Sequence, residues 1–154
     1  MEPIIAEVID RALREIREAK VPVHTFALYY DHESPALSVC VDTAENSARV
    51  VRGINSFNRP HFASAARCGN LKSASLWCAN IGRNLSLGDF TRVNVARTEV
   101  PRANESFFRA MLTGLLAKEA AIEALAVDRS ALLICCSGPN DEVEFLWSVA
   151  DNAA

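Results

Sequence analysis

Long apolar runs are missing from this chain of 154 residues. Stretches such as that from Ala131 to Cys136 fall far short of the ~20 residues needed to cross a bilayer, so a membrane role is not expected. The opening residues, Met1 to Glu7, lack the basic region and unbroken apolar core of an export signal, which points to the cytoplasm. Cysteines occur without paired spacing. Cys40, Cys68, Cys78, Cys135 and Cys136 are odd in number and irregularly placed, as expected of free thiols in a reducing compartment. No excess of basic charge is present either: 16 basic and 19 acidic residues along the chain give a net charge of −3. That excludes the overall basic footprint which dominates nucleic-acid affinity and mildly favours a basic partner.

The usual signatures of chemistry are absent as well. There is no phosphate-cradling G-x-x-x-x-G-K-[ST] or G-x-G-x-x-G loop, no G-x-S-x-G elbow and no H-E-x-x-H helix. Gly82 to Gly88 is bounded by glycines but has no lysine and reads as a loop. His61, Cys68 and Cys78 match no standard zinc-ligand spacing. Neither a metal nor a cofactor is expected. Enzymatic activity is not expected, although Cys40 and His24 on neighbouring strands form the one pair that a hairpin could bring together for thiol chemistry.

What is present is a composition that folds. Half the residues are hydrophobic and 23% are charged, with no biased tract or linker, so residues 1–154 are expected to form one domain. Ile5, Ile9, Ala12, Leu13 and Ile16 recur at helical spacing between Pro3 and Ala19. Val23 to Tyr30 and Ala36 to Val41, separated by Asp31-His32-Glu33-Ser34-Pro35, read as an antiparallel hairpin with Leu37, Val39 and Val41 on one face and Cys40 on the other. Asp42 and Glu45 suggest a capped helix running toward Phe57, ended by Asn58-Arg59-Pro60. Residues 61–100 read as loops with short elements. A long helix is expected over Glu105 to Ala126, a doubly covered strand over Ser130 to Cys136, and a final helix over Asp141 to Ala150. The order α-β-β-α, an irregular middle, then α-β-α, predicts an α+β fold with helices on a small, largely antiparallel sheet.

Two surface segments stand out as contact candidates for a protein partner. Tyr29, Tyr30, Asp31, His32 and Glu33 set an aromatic pair beside two acids at the hairpin tip, and Asp141, Glu142 and Glu144 place three acids at the start of the expected final helix. Aromatics can anchor and charges can steer an encounter, although tyrosines also close hairpin cores and acids also stabilise a helix start.

The segments Phe26-Ala27-Leu28-Tyr29-Tyr30-Asp31, Val39-Cys40-Val41-Asp42-Thr43-Ala44-Glu45 and Trp147-Ser148-Val149-Ala150-Asp151-Asn152, following an amphipathic first helix, resemble a family of small bacterial proteins found among the immunity genes of polymorphic-toxin systems. The match consists of scattered short stretches, none of them catalytic, and residues 61–100 depart from it. The resemblance implies a stoichiometric inhibitor that covers the active site of a cognate toxin, such as a basic nuclease-like domain, with no direct nucleic-acid contact. Two other readings stand beside it: an enzyme using Cys40 and His24, and a structural or adaptor subunit.

Overall fold

The computed structural model describes residues 2–149. Four helices and a five-stranded mixed sheet make an α+β domain. Its strands are β1 (Thr25–Asp31), β2 (Ala36–Asp42), β3 (Arg92–Glu99), β4 (Leu133–Cys136) and β5 (Phe145–Ser148), in the spatial order β3-β2-β1-β4-β5. Only β1 and β4 run parallel.

Alternation along the strands divides the interior in two. Phe26, Leu28, Tyr30, Leu37, Val39, Val41, Ile134 and Cys136 face α1 (Glu2–Glu18) and α4 (Glu105–Glu123), whose Ile5, Ile9, Met111 and Leu115 complete the main core. Gly114 lets these helices approach closely, since a Cβ there would lie 2.8 Å from Ile5 Cγ2. The opposite face of the sheet carries Ala27, Tyr29, Cys40 and Cys135 under Leu87 and Phe90. The expected division of the β2 side chains therefore holds, and adjacent Cys135 and Cys136 point to opposite faces.

Three segments differ from their sequence reading. First, α2 (Ala44–Arg67) continues seven residues past Pro60. Proline costs a helix one backbone hydrogen bond, but contacts on both sides of it are made to the segment after α3 (Leu71–Leu76): Phe57 and His61 both pack on Trp77. The helix stops instead at left-handed Gly69 (φ 69°), where Gly69 N–H donates to Ala66 O and Asn70 N–H to Ala65 O, the paired bonds of a Schellman turn. Its start is capped by Thr43, which accepts from Asn46 N–H, rather than by Asp42.

Second, the supposedly irregular stretch contains β3. As a sheet-edge strand it has little apolar alternation, and a bulge opposite Val39 and Val41 interrupts its period. Third, the final segment is β5, not a helix. Phe145 and Trp147 alternate onto the main core while Leu146 is exposed, and the Glu144 carboxylate accepts from Asn140 N–H and Nδ2–H. The acid thus closes a loop instead of opening a helix. Ala150, the end of that expected helix, and Ala150 to Asn152 of the resemblance lie outside the described residues.

Candidate protein interface

The hairpin tip and the loop before β5 do come together. Ser137 Oγ accepts from Tyr30 N–H at 2.9 Å and donates to Glu142 O at 2.8 Å. Beside this junction Tyr30, His32, Arg102, Asn104, Phe108 and Pro139 line a cleft of about 530 Å³. The acidic side chains do not converge in it. Asp31 accepts from Glu33 and Ser34 N–H through Oδ1 and pairs with Arg97 at 2.9 Å through Oδ2. The Ser34 amide, then the Arg97 contact, hold its carboxyl below the usual range. Glu144 is turned back on Asn140. Tyr30 is buried, with its ring against Phe107 and Phe108 and its hydroxyl accepting from Ala103 N–H. Among the residues singled out in these segments, His32, Glu33, Asp141 and Glu142 are exposed.

The thiol pair is not assembled. Cys40 is paired across the hairpin with Ala27, whereas His24 lies three residues further along, about 10 Å at strand rise. Burial pushes the Cys40 thiol up to about 11, against a weaker opposing effect from Asn94 N–H. His24 is lowered by burial and by Arg83. Among the described residues no group of three or more His, Cys, Asp or Glu is arranged to hold a metal ion. None of their helices is long and apolar enough to cross a membrane.

A different surface emerges from the middle of the chain. Of the 24 residues of α2 only Ser47 is buried, and the helix packs chiefly on α3 rather than on the sheet. Together α2, α3 and the residues to Ile81 form an arm, with α2 alone spanning about 36 Å. Asn55 and Asn80 tie its return leg down: Asn55 Nδ2–H donates to Asn80 O and Asn80 N–H to Asn55 Oδ1, while Asn58 Nδ2–H donates to Cys78 O. Beyond the arm, Arg83 donates to His24 O, Thr25 Oγ1 and Ala131 O, fixing the chain across the ends of β1 and β4.

The arm exposes Phe57 (62%), Phe62 (43%), Leu71 (79%), Leu76 (74%) and Ile81 (99%), half of the large hydrophobics exposed in the described protein. A groove of about 400 Å³ runs between Asn55, Asn58, Arg59 and Phe62 on one side and Trp77, Cys78 and Ala79 on the other. Scattered exposed apolar residues are ordinary; such a concentration on one element is a mark of an interaction surface.

Charge is also gathered here. From Asn46 to Gly88 there is no acidic residue and there are six basic ones, which leaves ten basic and all nineteen acidic residues to the rest of the chain. Arg49, Arg52, Arg59, Arg67 and Lys72 are exposed, and the ion pairs found among the described residues all lie outside the arm. Net charge conceals this segregation. The signal that could have revealed the surface is the acid-free stretch with Phe57, Phe62 and Trp77 inside it.

No family model, no curated protein and no solved structure matches this chain. The surface itself therefore has to carry the functional reading. It can bury apolar side chains and set cations around them, an arrangement suited to binding.

Proposed function

We propose that this is a protein-binding domain of the immunity type, acting in the cytoplasm by covering the working surface of a cognate toxin, with the α2–α3 arm as its contact surface. The observation that carries the reading is the exposure of Phe57, Phe62, Leu71, Leu76 and Ile81 on an element that contributes almost nothing to the core. Aromatic anchors beside arginines are the composition of energetic centres in protein interfaces. The resemblance of the hairpin and terminal segments to immunity proteins supplies the class of partner. Stoichiometric occlusion needs no reactive group, and burial of Cys40 with its raised thiol is compatible with that mode of action.

Co-expression with the product of the adjacent gene tests the proposal. Rescued growth and a copurifying complex are the expected result; no rescue and no complex contradict it. An adaptor subunit could use the same arm, but its complex would form without any growth inhibition to relieve.

A further inference from the structure

We infer that the groove of the arm receives an acidic amphipathic helix of the partner protein, not a basic cleft and not a nucleic acid. The inference rests on the arm being the contact surface proposed above. It adds what that surface recognises. Two independent features point the same way. The groove has an apolar ring on each side, Phe62 and Trp77, while Arg59 also lines it and Arg52, Arg67 and Lys72 are exposed elsewhere on the same arm. The stretch from Asn46 to Gly88 offers these cations no acid of its own, so desolvating them against a partner requires carboxylates from that partner.

One side of the groove is formed by Asn55, Asn58, Arg59 and Phe62, which recur at i, i+3, i+4 and i+7 along α2, so a partner helix laid beside them can insert apolar residues at its own i, i+3, i+4 and i+7 with acids flanking them. A nucleic acid fits less well. Leu71, Leu76 and Ile81 give a phosphate backbone nothing to bind, and a polyanion extending beyond the arm would meet a body with seven more acidic than basic residues.

The test uses three fluorescent probes on the full chain: a synthetic amphipathic helix of about 20 residues with leucines at those spacings and glutamates elsewhere, the same peptide with lysines for glutamates, and a single-stranded oligothymidine. Anisotropy should show the glutamate peptide binding at least about 10-fold tighter than the lysine peptide, with affinity falling as salt rises from 50 to about 500 mM. Arg59→Glu and Phe62→Ala should each weaken it about 10-fold or more, with unchanged circular dichroism. Arg109→Glu, on an exposed part of α4, serves as a charge control and should leave it unchanged.

Equal binding of the two peptides, or preference for the lysine peptide or the oligonucleotide, would overturn the inference. So would a salt-sensitive dimer, seen by sedimentation without any peptide and split by Arg59→Glu, because the occupant would then be a second copy of this chain. These results do not depend on the neighbouring gene. Failure of the peptide with successful growth rescue rejects the acidic helix alone, and failure of rescue rejects the immunity reading alone.

Discussion

Asn55 and Asn80 exchange two hydrogen bonds, 3.0 Å from Asn55 Nδ2 to Asn80 O and 2.7 Å from Asn80 N to Asn55 Oδ1, and so close the groove of the arm. No backbone ladder does this work. A single side chain satisfies both backbone groups of Asn80, and its loss leaves both to water.

Asn55→Ala should therefore loosen the arm without unfolding the sheet. Hydrogen exchange of amides around residues 77–82 is expected to quicken by roughly 10-fold, with the amides of β1 and β2 unchanged and global stability reduced by only about 1 kcal/mol. Uniform acceleration through the whole domain would show that the arm is part of the cooperative core.

The thiols provide a second test. Cys68 and Cys78 are exposed while Cys40, Cys135 and Cys136 are buried, so a thiol reagent at neutral pH should modify two cysteines quickly and the other three only on unfolding. Burial pushes Cys40 to about 11 and Cys135 and Cys136 to about 12, from 9.0. Between these values the unfolded chain has released thiol protons that the native chain still holds. Stability from these groups is thus complete below pH 9.0 and is lost as pH rises toward 12. Denaturant midpoints should fall over that window, less steeply in Cys40→Ala.

Gly138 is fixed by its neighbour. A Cβ there would meet the Glu144 side chain, whose own Cβ would lie 2.9 Å away, too close to be relieved by moving the carboxylate alone. Gly138→Ala should cost about 1–3 kcal/mol in urea unfolding, and the cost should shrink when Glu144→Ala is added. Purely additive effects would place the strain elsewhere.

Asp31 separates turn chemistry from ion pairing. Asp31→Asn keeps an acceptor for Glu33 and Ser34 N–H and loses the charge facing Arg97, so it should cost less than ~1 kcal/mol; Asp31→Ala loses both and should cost about 1–2 kcal/mol. Because the native carboxyl titrates below 3.8, its contribution is present above that pH and is lost as pH falls further. The difference between wild type and Asp31→Ala in urea should narrow as pH falls below 3.8.

These positions also show what the sequence made legible. The hairpin, α1 and α4 were readable because their apolar residues repeat at periods of 2 or 3.6 over long stretches, and Leu37, Val39 and Val41 face the main core as their alternation requires. The four residues of β5 are too few to establish a period, so the stretch from Asp141 could be read as a helix. In β3, Asn94 adopts φ 54° and its Oδ1 accepts at 2.7 Å from both Tyr29 Oη–H and Ser38 Oγ–H. That bulge is set by tertiary contacts with β1 and β2 and leaves no local trace. Pro60 misled for the same reason: Trp77, from the segment after α3, packs on Phe57 and His61 and holds α2 together across it.

At the candidate site, the acids at Asp31 and Glu144 were conspicuous because they shape turns. The arm was hidden by averaging its charge with that of an acidic body. Its apolar residues, spread over α2, α3 and the segment to Ile81, are gathered into one arm only after the Schellman turn at Gly69 folds the two helices together.

Hydroxyl-radical footprinting of the chain, alone and mixed with the purified product of the adjacent gene, tests the central claim most directly. Contact through the arm predicts that oxidation of Phe57, Phe62, Leu76 and Trp77 falls about 5-fold or more on mixing, while exposed Leu116, Val127 and Leu146 keep their reactivity. Undiminished oxidation of the arm would contradict it, whether because the two proteins ignore each other or because they meet elsewhere.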